Sequence, residues 1–306
     1  MRIGIFPWES LHSISVGGLA VHVTELAAAL ERKGNEIHVF TRIGPNQKIY
    51  EVIDGVHYHR CPFASNSNFI HEMTNNMCKS MAHYFFETEN VSGRFDIVHG
   101  HDWHVVNALD EIKKARNKKI IFTLHSNQFG RDGNQFHDGP AKTIMNIEWY
   151  GTYIADRVIV CSNVMRDETK RLHRVPEDKM RVIPNGIWAR NFDGFIDPWN
   201  DVKKNYGLGP LDPLILFVGR MSYQKGVDLL LEAVPDVLRE YPKAKFIFVG
   251  DGYMRSQLEN RGRQLNPDHI KFTGYISNEE KAKLLKACDC VVVPSRNEPF
   301  GIVVLE

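Results

Sequence analysis

The chain has 306 residues, 43% of them hydrophobic and 25% charged, with a formal net charge of +1. That length suits about two domains, each able to bury a core, and the balanced charge gives no case for nucleic acid or an anionic membrane as the main partner. No apolar stretch reaches the ~18 residues of a membrane span, and the short run before Pro7, Glu9 and His12 does not read as a secretory signal. The five cysteines (61, 78, 161, 288 and 290) are few, odd in number and mostly set in apolar runs, as reduced core thiols of a cytoplasmic protein would be. Cys288 and Cys290, two positions apart at a predicted strand, are not read as a metal or redox pair.

In chain order, Arg2–Phe6 reads as a strand. Leu19, Val23, Leu26 and Leu30 then form a helical apolar stripe ended by Gly34. Glu36–Thr41, Ile97–His101, Ile120–Leu124 and Arg157–Cys161 are short apolar runs without clean alternation, the pattern of parallel strands covered on both faces. Phe63–Phe86, with Met73, Met77 and Met81, reads either as a polar lead-in loop followed by an adaptable core-facing helix or as the lining of an acceptor groove. A second series begins at Leu214–Val218 and runs through the stripe Val227, Leu230, Leu231, Val234 and Leu238. It continues with strands at Lys245–Val249, Ile270–Thr273 and Cys290–Val293. Gly186–Pro213, rich in Asn, Asp, Gly and Pro, has neither periodicity and reads as the linker. Two Rossmann-like βα series follow, over 1–193 and 194–306, and ligands in such sheets gather at strand C-terminal ends.

The candidate functional residues fall at those ends. Gly17-Gly18 opens the first helix, where free N–H groups and the dipole favour an anion, although a glycine pair there also suits a plain turn. It is not the six-position dinucleotide fingerprint. Arg220 and Lys225 share a strand-to-helix loop and can converge on a diphosphate, the guanidinium as a fork and the ammonium as a point charge. His125 follows a strand end, as a local hydrogen-bonding residue or a catalyst. His99, His101, Asp102 and His104 crowd into six positions; the Asp precedes the place a metallohydrolase order requires, so the cluster reads as structural rather than as a metal site. Finally Glu298-Pro-Phe300-Gly301 and Glu306 set two acids, with seven residues between them, beyond the last strand. Pro299 suits a first helical turn and Gly301 a close backbone approach to ligand.

Taken in order, these elements resemble the group 1 (family 4) retaining glycosyltransferases of GT-B fold, near the glycogen-synthase-like branch. The matching text includes Gly17-Gly18 with Glu25-Leu26-Ala27, His101-Asp102-Trp103, Thr123-Leu124-His125-Ser126, and Ala155-Asp156-Arg157 through Ser162. It goes on through Val182-Ile183-Pro184-Asn185-Gly186, Gly219-Arg220 with Lys225-Gly226, and Glu298 to Glu306. The resemblance implies an α/β architecture of two Rossmann-like domains facing a cleft, the second one incomplete. It implies transfer of a hexosyl, specifically glucosyl, group from a nucleoside diphosphate sugar to a hydroxyl of a carbohydrate, polyol or lipid-linked acceptor. Arg220 and Lys225 would bind the diphosphate together with backbone near Gly17 and Gly18. Glu298 would bind sugar hydroxyls, Phe300 and Gly301 would pack and donate nearby, Glu306 would take the ribose, and His125 would face the sugar. No metal and no cofactor are expected. Ser15 stands where glycogen synthases proper carry Lys, which argues against glycogen as acceptor. A nucleotide-sugar epimerase of the same fold and an inactive sugar-nucleotide-binding fragment are the rival readings. The early stop after Glu306 further suggests a longer parent enzyme.

Overall fold

The computed structural model describes residues 1–64, 70–189 and 199–306, which divide into two units. The first comprises Met1–Phe129 and Gln135–Ile187, the second Gly130–Asn134 and Trp188–Glu306. The division falls between Ile187 and Trp188, while the expected boundary at 193/194 lies outside the described residues, as does part of the polar lead-in before Ile70.

In the first unit, eight strands form one sheet: β1 (Arg2–Phe6), β2 (Glu36–Arg42), β3 (Tyr50–Ile53), β4 (Val56–Cys61), β5 (Ile97–His101), β6 (Lys119–Leu124), β7 (Arg157–Val160) and β8 (Met180–Val182). Their order is β3-β4-β2-β1-β5-β6-β7-β8, parallel throughout except for β3 against β4. Ile3 is registered with both Ile37 and Ile97, so β1 lies at the point where the strand order changes direction. Ligands of open α/β sheets bind at the C-terminal ends of such strands. The helices are α1 (Gly18–Arg32), α2 (Ile70–Ser92), α3 (Val106–Arg116), α4 (Gln128–Arg131, which the unit division crosses), α5 (Pro140–Ile154) and α6 (Asn163–His173). On α1 the core residues are Ala20, Val23, Thr24 and Ala27, with Leu19 and Leu30 only partly buried. The packed face is thus turned from the expected leucine stripe, because small side chains let the helix lie close on Ile3, Ile5 and Val39. Met77 and Met81 are fully buried on α2, in agreement with a core-facing helix.

Three strands, β3, β4 and β8, have no counterpart in the sequence reading. β3 and β4 join through Asp54-Gly55, both at positive φ, the left-handed pair that a tight hairpin demands. Polar residues mask β4: Arg60 is buried and bonded to the carbonyls of His12 and Lys48 and to Glu51. His59 pairs with His38 across the sheet at 2.9 Å.

The second unit has four parallel strands, β9 (Leu214–Val218), β10 (Lys245–Val249), β11 (Ile270–Gly274) and β12 (Cys290–Val291), ordered β11-β10-β9-β12. Ile215 is registered with both Phe246 and Cys290, so β9 is the reversal point here. The helices are α7 (Trp199–Asn205), α8 (Val227–Glu240), α9 (Arg255–Leu265) and α10 (Asn278–Ala287). α8 buries Val227, Leu230, Leu231 and Val234 as its pattern predicts, against Phe217, Phe246 and Phe248. α7 lies within the stretch expected to be linker. Its buried Lys203 donates to Asp289 at 2.7 Å and to the carbonyls of Pro210 and Asp212, which ties the segment to the start of the sheet. The expected strand over Cys290–Val293 is shorter, and Cys288 caps α10 instead of sharing a strand with Cys290. None of the five cysteines is in a disulfide; Cys61, Cys78 and Cys161 are buried, whereas Cys290 is exposed and so is not a core thiol.

Candidate active site

In the second unit, the loops leaving β9 and β12 lie side by side because those strands are neighbours. The β9 loop turns through a short 3-10 helix, Tyr223–Lys225, and Gly226 then enters α8 at φ 62, in the left-handed region. A Cβ at Gly226 would stand 2.1 Å from the Pro294 carbonyl oxygen, so only glycine permits this approach of the two loops. The carbonyl of Gln224 accepts from Arg296 N at 2.9 Å. The Arg296 guanidinium forks onto Asp228 at 2.8 and 2.6 Å and lies over the Tyr223 ring. That fork is charge-assisted and bidentate, and it holds the Asp228 carboxyl below its ordinary pKa.

Fastened in this way, the loops bring Lys225 and Glu298 together across 73 residues of sequence. Lys225 Nζ donates to both carboxylate oxygens, at 2.9 and 2.7 Å, and Ser295 Oγ donates to the same carboxylate at 2.8 Å. The side chains are 26% and 22% exposed, open enough to exchange partners with a ligand. Arg220, in the same β9 loop, is exposed, and its guanidinium has no hydrogen-bonding or ion-pairing partner among the described residues. Phe300 is half-buried in the same loop as Glu298. One local expectation is corrected here. Pro299 is buried in the loop and starts no helix, and only a 3-10 turn, Ile302–Val304, follows. Gly301 is required by its own φ of 81, and a Cβ there would press on Glu298. Glu306 is joined to Lys281 of α10 at 2.7 Å. A cleft of about 550 Å³ elsewhere in this unit, lined by Asp201, Tyr206, Lys271 and Glu280 among others, contains none of these residues.

In the first unit the residues following β1, β5 and β6 gather at the other reversal point. Gly17 is the N-cap of α1, and its N–H is committed: the buried Glu9 carboxylate accepts from Val16 N and Gly17 N. Glu9 therefore holds the turn as an anion would, and Gly18, exposed at the first helical position, keeps an N–H with no intrahelical partner. No local pattern signals this, since Glu9 reaches the turn only through the chain reversal at residues 10–16.

His125 directly follows β6. Its backbone N–H donates to Asp102 Oδ1 at 2.8 Å, and its Nε2 lies 3.0 Å from His101 Nδ1. Asp102 has φ 58, a strained conformation for a residue with a side chain. His99 pairs with Thr123 at 2.7 Å, and His104 stacks between Trp8 and Trp103. The sequence cluster is therefore split, with His101 alone of its histidines meeting His125. His22 of α1, not singled out in the sequence, completes this group: its ring centroid is 4.7 Å from that of His125. Burial pushes His22, His99 and His125 down to about 3, and His101 well below its ordinary value, so the rings are neutral at neutral pH.

Two Rossmann-like α/β sheets, each carrying its polar loops at the strand where the order reverses, define a protein of GT-B fold. The structural likeness agrees: sucrose-phosphate synthase from Thermosynechococcus elongatus superposes with a TM-score of 0.82 at 23% identity, over 99% of this chain and 77% of that one. The Anabaena protein HepE, in complex with UDP-glucose, gives 0.72 at 17% identity, over 99% and 77%. Residues 16–188 match the profile of Glycosyltransferase Family 4 and residues 200–306 that of Glycosyl transferases group 1. An uncharacterized glycosyltransferase of Methanocaldococcus jannaschii is 35% identical over 314 residues, covering 100% of this chain and 77% of the relative. Glycogen synthase of Mycobacterium tuberculosis is 28% identical over 326 residues, covering 100% and 75%. The chain belongs to the group 1 glycosyltransferases, a family of hexosyltransferase enzymes. Among the described residues no helix is long and apolar enough to cross a membrane.

Proposed function

We propose that the protein moves a hexosyl group, specifically glucosyl, from a nucleoside diphosphate sugar to an acceptor hydroxyl, with retention at the anomeric carbon. The observation that carries this reading is the Lys225–Glu298 pair beside the exposed Arg220, at the reversal point of the second sheet. A cation and a carboxylate that satisfy each other at rest can both turn to a donor. The ammonium passes to the diphosphate, and the freed carboxylate accepts from sugar hydroxyls. Charge grows on the leaving diphosphate as the glycosidic bond breaks, and Arg220 and Lys225 stabilise it without a metal. Phe300 packs beside the sugar, and the Gly301 backbone donates nearby. Glu306 takes the ribose by exchanging Lys281 for hydroxyl donors. In the first unit, the free N–H at Gly18 serves the diphosphate, Gly17 shapes the turn, and His125 is the sugar-facing residue. The binding of UDP-glucose by HepE, which shares the fold, supports a nucleotide sugar as donor. The acceptor is a carbohydrate, polyol or lipid-linked hydroxyl.

A thermal-shift screen of nucleoside diphosphate sugars identifies the donor, and incubation with candidate acceptors then reads formation of a new glycoside and its anomeric configuration. Lys225→Ala and Arg220→Ala should each lower turnover by about 10²–10³-fold, and EDTA should not lower it. Release of free sugar with no glycoside formed, or full rates in both variants, would overturn the reading.

A further inference from the structure

Three imidazoles converge in the first unit from three separate elements. His101 ends β5, His125 follows β6, and these strands are registered with His101 opposite Thr123. Positions 123 and 125 share a face of β6 and its extension, so His125 stands on the same side as His101. α1 crosses above that edge and lowers His22 onto both rings, with centroids 4.7 Å from His125 and 5.8 Å from His101. One donor nitrogen from each of the three lies within 4.8 Å of the other two. We infer that His22, His101 and His125 bind one divalent transition-metal ion of the zinc class through three ring nitrogens, with the remaining coordination positions open.

Geometry and donor type both favour this. Zn–N bonds of about 2.0–2.1 Å place tetrahedral nitrogens about 3.4 Å apart. The His101–His125 pair is already at 3.0 Å, and the third ring has at most ~1.4 Å to close from the 4.8 Å limit. The set holds three nitrogens and no carboxylate, which suits Zn²⁺, Cu²⁺ or Ni²⁺ and discriminates against Mg²⁺ and Ca²⁺. Two features act as outer support. Asp102 fixes the His125 backbone at 2.8 Å, and the His99 ring, centroid 4.2 Å from that of His101, is held by Thr123. His22 and His125 are only half-buried, which gives the ion a way in. Because His125 is also the residue proposed above to face the sugar, a bound ion and that sugar contact exclude each other.

Zn²⁺ binding is measured on the purified full chain by calorimetry and by metal content after dialysis, with Co²⁺ absorption reporting the nitrogen-rich geometry and with no donor present. One equivalent should bind to the natural chain and to His57→Ala, a control in the separate β4 histidine group, and excess Mg²⁺ should not compete. His22→Ala should abolish stoichiometric binding while retaining the far-UV circular dichroism of the parent. If His22→Ala fails to fold, His22→Gln, of similar size, takes its place and should weaken binding at least about tenfold, since loss of even an outer-shell partner costs metal sites that much. No stoichiometric uptake by the natural chain, or equal uptake by the folded His22 variant, overturns the site. Either result leaves the transfer reading intact, because binding is read without donor or turnover.

Discussion

Gly226→Ala tests whether a single backbone approach assembles the donor-side residues. Gly226 has φ 62, and the added methyl would stand 2.1 Å from the Pro294 carbonyl oxygen and 2.9 Å from its carbon. The left-handed conformation costs a residue with a Cβ roughly 1–2 kcal/mol. Forcing a methyl against backbone that cannot rotate aside adds about 1–3 kcal/mol, for a total of about 2–5 kcal/mol. The strain is relieved only if the 294–298 loop retreats, which pulls Glu298 from Lys225 and Arg296 from the Gln224 carbonyl. Gly34→Ala is the matched control: its φ is 81, it is exposed, and nothing lies within 4 Å of the added methyl, so it carries the conformational cost alone. Urea unfolding should place the two variants about 1–3 kcal/mol apart. Hydrogen exchange should localise the added opening in Gly226→Ala to 219–228 and 290–298. The variant should also bind a nucleoside diphosphate at least about tenfold more weakly, about 1.4 kcal/mol, whereas Gly34→Ala should not. Equal unfolding free energies and equal affinities for both variants would refute the argument.

Arg296→Ala removes the fork onto Asp228 at a partly exposed site and should cost about 1 kcal/mol of stability, with a loss of nucleoside diphosphate affinity smaller than that of Lys225→Ala; a larger loss would place Arg296 on the ligand itself. Lys203→Met keeps the buried stem but strips the ammonium from the Pro210 and Asp212 carbonyls and from Asp289. It should cost about 1–3 kcal/mol, below the value for a wholly buried pair because Asp289 is 52% exposed, and an unchanged urea midpoint would count against this anchor. Acid should weaken the first unit selectively, since burial lowers His22, His59, His99 and His125 to about 3 and His173 to about 4. Their folded pKa values lie below the unfolded value near 6.5, so stability is complete above about pH 6.5 and declines as pH falls toward 3–4, by up to about 1.4 kcal/mol per pH unit for each group. Of 14 histidines only His269 lies in the second unit, so urea midpoints between pH 7 and 4 should fall more steeply for the first unit; a flat response there would refute the assignment of neutral buried rings.

What was legible in the sequence follows from which interactions are local. Parallel strands buried on both faces announce themselves as apolar runs, and every such run in the chain became a strand. Lys225 and Glu298 were legible as strand-end residues because β9 and β12 each end a few residues before them. β4 was hidden because its polar residues are paired across the sheet, with Arg60 answered by three oxygens from distant segments. α7 was hidden in a linker-like composition because Lys203, a charge, faces the interior. Glu9, Asp228, Arg296 and His22 act through partners that only the fold supplies. For His22 a local signal did exist: it lies four residues after Gly18, on the helix face that meets the same strand ends.

On the proposed reading both units carry an anion-binding edge, and each supplies a carboxylate to that edge from within. In the first, the carboxylate of Glu9 already accepts the Gly17 N–H at 3.0 Å; in the second, Glu298 already neutralises Lys225. Desolvating an unpaired ammonium or an open helix end is costly, and an internal carboxylate removes that cost while leaving the cation in place. The two acids differ in what they can do next. Glu298 is 22% exposed and bound through side chains that rotate, so an incoming diphosphate can displace it from Lys225. Glu9 is 2% exposed and bound through backbone, so no ligand replaces it without unfolding the turn. On the proposed reading the exchangeable acid belongs to binding and the fixed one to shape, and Gly18 rather than Gly17 is the glycine left with an N–H to offer a phosphate.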